Sequence, residues 1–354
     1  MELETLGWTA QWEESAQQFL SEPNHFPARV AFASRERLRL LGQGGETPAV
    51  LSGRARRAFF PPAVGDWVVA AKAPGGGVVV HAVLPRRSRL ARGQADRWRG
   101  EEAAVEQVLA ANVDRVLVVC GLDRDYNPRR IERYVTLAWG GGAQPVVVLN
   151  KADLRPDADL VVSEVEALAP GAPILAVSAR SGKGMGQVRR LVGPGATACL
   201  VGSSGAGKST LLNRLVDDTA QATAATRAVT GKGRHTTTHR ELFVLPGGGV
   251  VIDTPGLRSV GLDLAAEGLD ATFAEIAELA LGCRFRDCRH QGEPGCAVAA
   301  AVAGGQLDPS RWESYRRLGR EMRYRQLAAA AGAAAAEREH WRGVSKELRR
   351  MSRE

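Results

Sequence analysis

The run Gly202-Ser203-Ser204-Gly205-Ala206-Gly207-Lys208-Ser209-Thr210 has the Gly-x4-Gly-Lys-Ser spacing of a loop that holds phosphates. It follows an apolar stretch, Ala198–Val201, and precedes a helical one, Thr210–Leu215, the setting such a loop needs. Its glycines permit a tight turn whose amides face a β-phosphate, and the helix N-terminus adds a favourable dipole. Lys208 would reach the β- and γ-phosphates, and Ser209 would ligate Mg²⁺. Asp253, ending the apolar run Val250–Ile252, would hold the same Mg²⁺. The amide of Gly256, in Asp253-Thr254-Pro255-Gly256, would sense the γ-phosphate.

A second group of residues suits a purine base. Asn150-Lys151-Ala152-Asp153 follows the apolar run Pro145–Leu149, with Val177-Ser178-Ala179 further on. An ionised Asp153 only accepts hydrogen bonds, so it can take both the N1–H and the amino group of guanine. Adenine presents an acceptor at N1, which favours GTP over ATP. Asn150 would brace the loop and Lys151 would lie over the ring. Ser178 and Ala179 would complete the base site.

Between the phosphate loop and Asp253 lies Lys232-Gly233-Arg234-His235-Thr236-Thr237-Thr238-His239, polar and glycine-containing. A threonine here would complete Mg²⁺ coordination when the γ-phosphate is present; Thr237 is the choice, with Thr236 and Thr238 as rivals. Leu257 stands where many GTPases carry a water-orienting glutamine. His235 is the local candidate for that task, against the plainer reading of a loop hydrogen-bonding residue.

The third group is Cys283-x4-Cys288-x-His290-x5-Cys296. Three thiolates and an imidazole suit one tetrahedral Zn²⁺ with no open position, hence a structural ion. The bland alternative is free thiols beside an incidental histidine. Cys120 and Cys199 lie inside apolar runs and read as core residues.

The order of these segments is informative. The base-reading half, Asn150–Asp153, precedes the phosphate half, Gly202–Gly256, the reverse of an ordinary GTPase. A circularly permuted GTPase domain is expected, with Gly193-Pro194-Gly195 as the turn between the halves. Strands at Arg115–Cys120, Pro145–Leu149, Ile174–Val177, Ala198–Val201 and Val250–Ile252 would form a mostly parallel sheet carrying ligands at the strand ends.

Ahead of it, Ala28–Phe32, Leu38–Leu41, Asp66–Ala70 and Val78–His81 read as short strands of a small barrel or sandwich. Trp8, Trp12, Ala16, Phe19 and Leu20 suggest an amphipathic helix packed on it. Arg54, Arg56, Arg57, Arg86, Arg87, Arg89 and Arg92 form either a solvated face or an oligonucleotide-binding (OB-fold) surface. After the cysteines comes a helix from about Ser310. Its Trp312, Tyr315, Leu318, Met322 and Leu327 alternate with Arg311, Arg316, Arg317, Arg320, Arg323 and Arg325 on a charged outer face that also fits RNA. The 354 residues are therefore divided into a helix-plus-barrel unit (1–100), a permuted α/β P-loop GTPase domain (101–261) and a mostly helical zinc-binding domain with a basic tail (262–354).

A net charge of +8 favours a polyanionic partner. No signal pattern opens the chain and no apolar run approaches the ~20 residues of a membrane span, so a cytoplasmic protein without a membrane partner is expected. A monomer is expected.

The chain resembles the small-ribosomal-subunit-dependent GTPases (the ribosome small subunit GTPase A family). The resemblance rests on Pro61-Pro62-Ala63-Val64-Gly65-Asp66-Trp67-Val68, Ala110-Ala111-Asn112-Val113-Asp114, Asn150–Asp153, Gly202–Thr210, Gly233–Thr238 and the Cys283, Cys288, His290 and Cys296 set. It implies an OB-fold barrel, a permuted GTPase domain and a zinc domain. It also implies GTP hydrolysis stimulated by the small ribosomal subunit, binding to that subunit and its 16S rRNA, and a role late in its maturation. The Ala-rich stretch Ala328–Ala336 and the very Arg-rich tail depart from the pattern. Two rivals stand beside this reading: an rRNA-binding module gated by GTP with negligible turnover, and a metal-insertion GTPase with labile zinc.

Overall fold

The computed structural model describes residues 1–22, 24–34, 37–53, 61–94, 105–217, 240–254 and 266–331. Strands β1 (His25–Ala33), β2 (Leu38–Gly42), β3 (Gly45–Leu51), β4 (Trp67–Lys72) and β5 (Val78–Val83) close into a barrel in the order β1-β2-β3-β5-β4. All neighbours run antiparallel except β3 and β5, which pair in parallel with Ala49 opposite Val78. That order closes the sheet without a free edge and makes this the OB-type barrel the sequence suggests. Ala28, Val30, Leu40, Val68, Ala70 and Val80 fill its interior. β3 is not legible as a strand, because Gly45, Glu46 and Pro48 are residues that strands disfavour; closure of the barrel overrides them. Helix α1 (Ala10–Leu20) lies on the outside. Trp8 precedes this helix rather than belonging to it, yet it meets Trp67 edge-on at 4.7 Å, and Trp12 lies 6.3 Å from the same ring.

A hairpin of β6 (Arg89–Gln94) and β7 (Val105–Ala111) leads from the barrel to the central sheet and straddles residue 100. That sheet contains β8 (Arg115–Gly121), β9 (Gln144–Asn150), β10 (Ile174–Ala176), β11 (Thr197–Val201), β12 (Glu241–Val244) and β13 (Val250–Asp253), ordered β10-β9-β8-β11-β13-β12. β12 alone is antiparallel. The runs of Val, Leu and Ile in β8, β9, β11 and β13 are buried on both faces, as a helix-covered parallel sheet requires. Helices α2 (Pro128–Gly140), α3 (Ala158–Leu168), α4 (Met185–Leu191) and α5 (Lys208–Asp217) follow strands in turn. Cys120 and Cys199 are core residues, and burial pushes the Cys199 thiol up to about 12.

The C-terminal part comprises α6 (Ala266–Thr272), α7 (Ala274–Ala280), the cysteine segment, α8 (Ala297–Ala303) and α9 (Pro309–Ala331). Among the described residues no helix is long and apolar enough to cross a membrane. Arg311 is not on the charged outer face of its helix. It is buried, bonded to Glu132 and Glu275 at 2.6 Å each and to the carbonyls of Leu168 and Thr272. Helical spacing reveals which residues share a face but not what a neighbouring helix offers them, and α2 offers a carboxylate.

Arg29 plays the corresponding part at the barrel seam. Its guanidinium donates to the carbonyls of Leu6, Gly65 (3.2 Å) and Asn112 (3.1 Å) and lies 5.2 Å over Trp67. Burial pulls its pKa down to about 10, so it remains charged at neutral pH. Arg29→Met leaves the buried Leu6 and Asn112 carbonyls without a donor, while Gly65 keeps Asn112 Nδ2 at 3.2 Å. It should cost about 3 kcal/mol, read as a lower urea midpoint for the tryptophan fluorescence transition. A loss under about 1 kcal/mol would mean that water takes over those carbonyls.

Candidate nucleotide and metal sites

The parallel strands end along one edge, with Gly121 opposite Asn150 and Leu200 opposite Asp253. The segments after β9, β10, β11 and β13 therefore meet, although Asn150 and Asp253 are far apart in sequence. The amide of Asn150 joins three of them. Its Oδ1 accepts from the Ala179 N–H at 3.0 Å, and its Nδ2 donates to the Ala206 carbonyl at 3.0 Å. Gly207 makes room for this: its φ is +94°, and a Cβ there would stand 2.3 Å from Asn150 Nδ2. At the loop entry, Gly202 passes so close to β8 that a Cβ would meet the Val119 carbonyl at 2.2 Å.

Gly205, with φ +83°, completes the turn into α5, whose first residues are Lys208, Ser209 and Thr210. Lys208 Nζ folds back to the carbonyls of Gly202 (2.8 Å) and Ser203 (2.6 Å). Lys151, in the left-handed region at φ +63°, sends Nζ to the Gly205 carbonyl at 2.5 Å and to Asp123 Oδ2 at 2.6 Å. The Lys151 ammonium holds the Asp123 carboxyl below its ordinary range. A cavity of about 320 Å³ opens between these loops, lined by Asp123, Asn150, Lys151, Asp153, Ser178 and Thr210 among others. Ala152 and Asp153 lie in the single helical turn Ala152–Leu154 at its rim. Ser204 is exposed at the tip of the phosphate loop.

Asp253 is buried at the end of β13, and Thr254 Oγ1 donates to the Leu200 carbonyl at 2.8 Å. Hydroxyl and carboxylate oxygens from Ser209 and Asp253 are the hard donors that Mg²⁺ takes. His235, Thr237 and Gly256 lie outside the described residues, as do Thr236, Thr238, Leu257, Arg54, Arg56, Arg57 and residues 332–354 of the tail.

Sequence reasoning missed two acids after β8, Asp123 and Asp125. Asp125 accepts from Ser203 Oγ of the phosphate loop at 2.6 Å. A pair of carboxylates directly after an apolar strand was the available signal.

The sulfur and nitrogen atoms of Cys283, Cys288, His290 and Cys296 lie within 4.8 Å of one another. Cys283 Sγ is 3.5 Å from His290 Nδ1 and 4.0 Å from Cys296 Sγ, and His290 Nδ1 is 3.3 Å from Cys296 Sγ. Tetrahedral Zn²⁺ with Zn–S near ~2.3 Å requires ligand atoms about 3.8 Å apart, so the set fits. Burial lowers the His290 pKa, which favours the neutral ring a metal needs. Cys296 also caps α8, accepting from the Ala299 N–H at 3.4 Å, and His290 packs edge-on to Trp312 of α9.

A family model described as RsgA GTPase matches residues 83–263, from the barrel's last strand past Asp253. The small ribosomal subunit biogenesis GTPase RsgA of Opitutus terrae is 49% identical, over 97% of this chain and 96% of its own. The chain belongs to the RsgA GTPase family. The RsgA of Syntrophotalea carbinolica is 44% identical over 100% of this chain and 99% of its own. Among solved structures, YjeQ from Thermotoga maritima matches with a TM-score of 0.62 and 28% identity, over 84% of this chain and 98% of that one. YloQ, a circularly permuted GTPase, matches with a TM-score of 0.59 at 23% identity, covering 86% and 96%, and supports the fold alone. As an RsgA GTPase the protein is a GTP hydrolase, and its phosphate loop follows its base loop in the permuted order read from the sequence.

Gly207→Ala should weaken binding of a fluorescent GTP analogue by about thirtyfold, from the strained φ and the displaced Asn150 amide together. Unchanged affinity would remove Asn150 from the construction of the loop. The cysteine set should hold close to one zinc per chain by atomic absorption. Stripping it with a strong chelator should change Trp312 fluorescence and expose 283–303 to protease. A chain that is metal-free yet protease-resistant would contradict a structural ion.

Proposed function

We propose that the protein is a GTPase of small ribosomal subunit biogenesis that binds the subunit through its 16S rRNA in the GTP state and leaves after hydrolysis. The observation that carries this reading is the near full-length similarity to proteins named for that role, on a chain whose nucleotide-loop residues are all present. Asp153 would read guanine, with Ser178 and Ala179 backing the base and Asn150 holding the loops together. Lys208 would exchange the Gly202 and Ser203 carbonyls for phosphate oxygens, assisted by the amides of the phosphate loop. Mg²⁺, coordinated by Ser209, Asp253 and Thr237, would neutralise charge on the β- and γ-oxygens. His235 would orient the attacking water. Loss of the γ-phosphate would free Thr237 and Gly256, and the chain beyond Gly256 continues into α6 and the zinc module.

The barrel and the arginine-bearing helix α9 supply the basic surface for rRNA, and a net charge of +8 is consistent with it. The protein would act as a cytoplasmic monomer, with the three units 1–100, 101–261 and 262–354 as its domains.

GTP turnover measured alone, with small subunits, with large subunits and with free RNA at fixed salt tests the reading. Small subunits alone should raise kcat about tenfold or more. His235→Ala should keep GTP affinity, lose that stimulation and stay on the subunit. Equal slow turnover in every mixture would favour a GTP-gated binding module. Asp153→Asn should weaken GTP binding about a hundredfold, because the amide places a donor where guanine also donates.

A further inference from the structure

The C-terminal module is attached to the GTPase domain by more than the chain that follows β13. It also packs on α2, and α2 begins at the loop that touches the phosphate loop. Asp125 stands at that junction. Its carboxylate accepts from Ser203 Oγ at 2.6 Å, from Arg130 Nη1 at 2.6 Å and from the Gly121 N–H at 3.4 Å. Arg130 lies in the first turn of α2, which Asn127 caps by accepting from the Arg130 N–H at 3.1 Å and which has proline at its start.

The same helix grips the C-terminal module along its length. Glu132 accepts from buried Arg311 at 2.6 Å, and Thr136 donates to Thr272 at 3.0 Å. Arg129 and Arg133 pair with Glu313 and Glu321 of α9. Gly268 of α6 lies so close that a Cβ would be 2.2 Å from the Thr136 carbonyl. Arg311 fastens α9 to α6 and α7 through the Thr272 carbonyl, Glu275 and the Phe273 ring. The helix is a continuous run of 13 residues, contacted by the phosphate-loop junction at its start and by α6 near its end.

The Ser203 hydroxyl is committed to Asp125, so this side chain serves the loop's position. The Ser203 carbonyl holds Lys208. A shift of Ser203 when Lys208 turns to phosphate would therefore bear on Asp125 and the first turn of α2. We propose that Asp125 is a positioning residue that ties the phosphate loop to α2, so that nucleotide occupancy and the seating of the C-terminal module bias each other through this helix. The inference rests on the GTPase reading above and adds a route distinct from the chain beyond Gly256. Coupling of this kind is reciprocal: whatever reseats the module must change nucleotide affinity by the same factor.

Hydrogen exchange on the full-length, zinc-loaded protein tests it, without nucleotide, with GDP and with a non-hydrolysable GTP analogue at saturation. Nucleotide should change protection in 128–140 and 266–280 of the unmutated protein. Ser203→Ala should bind about tenfold more weakly and, once saturated, lose at least half of the difference in 266–280. Ser203→Thr, which keeps the hydroxyl, should restore it. Glu132→Gln, which leaves the phosphate loop untouched, should diminish the response in 309–323. A full response in Ser203→Ala and in Asp125→Ala would overturn the proposal and assign the coupling to the segment after β13. Stoichiometric nucleotide binding with no change in 266–280 would overturn it while leaving the GTPase reading intact. Absence of nucleotide binding by the unmutated protein would remove both.

Discussion

One carboxamide sets the geometry of the candidate nucleotide site. Asn150 has a single acceptor and a single amide nitrogen to place, and it spends them on Ala179 and Ala206, in two different loops. Three segments are thereby fixed to one another within hydrogen-bond length: the base loop, the Ser178-Ala179 loop and the phosphate loop. The group is buried, so neither bond competes with water, and losing either partner would leave a polar atom unsatisfied. The requirement propagates outward. Gly207 must lack a Cβ, β9 ends level with β8 and β11, and Lys151, left-handed at φ +63°, carries its Nζ across to the Gly205 carbonyl.

That arrangement also explains why a permuted chain can build the site. The edge of a parallel sheet is a spatial address, and the loops meet there whatever order the strands take in sequence. What permutation changes is the joint. Gly193-Pro194-Gly195 packs tightly at the opposite side of the domain: a Cβ on Gly249 would stand 2.3 Å from the Gly193 carbonyl, and one on Gly7 would stand 2.9 Å from that of Gly195. The first residues of the chain, through the Thr5 carbonyl accepting from the Gly249 N–H, close over this joint. The barrel's leading segment is thus seated on the GTPase domain where the two halves are sewn together.

Much of this was legible in sequence because the chemistry is locally encoded. A phosphate loop, a guanine-reading tetrapeptide and a cysteine–histidine set each need fixed spacings within a few residues, and their glycines and strands announce themselves. Residues whose meaning depends on a distant partner were not legible. Arg311 is one of many arginines in its helix until Glu132 and Glu275 close on it. Arg29 looks like one basic residue in a strand until three carbonyls surround it. Asp123 and Asp125 belong to no motif of their own, and only the fold brings them against Lys151 and Ser203. β3 failed for a related reason: closure of the barrel, a long-range demand, outweighed its strand-disfavouring residues.

The two buried arginines show how the modules are held. An apolar seam would be satisfied by many relative orientations, since dispersion and desolvation have little directionality. A guanidinium has five N–H donors in a fixed fork, and a buried one tolerates few arrangements of its acceptors. Replacing a whole buried ion pair such as Arg311 with Glu132 by well-packed apolar residues often costs nothing in stability, so that pair argues for orientation over adhesion. Arg29 sets the angle of the barrel through backbone carbonyls, which report the position of the fold itself. Arg311 sets the angle of the C-terminal module through carboxylates and carbonyls on α2, α3, α6 and α7, elements that belong to both sides of the seam. A displacement of α2 therefore cannot be absorbed by sliding at that seam. A displacement that the seam does not resist would reach the C-terminal module as a change of its orientation.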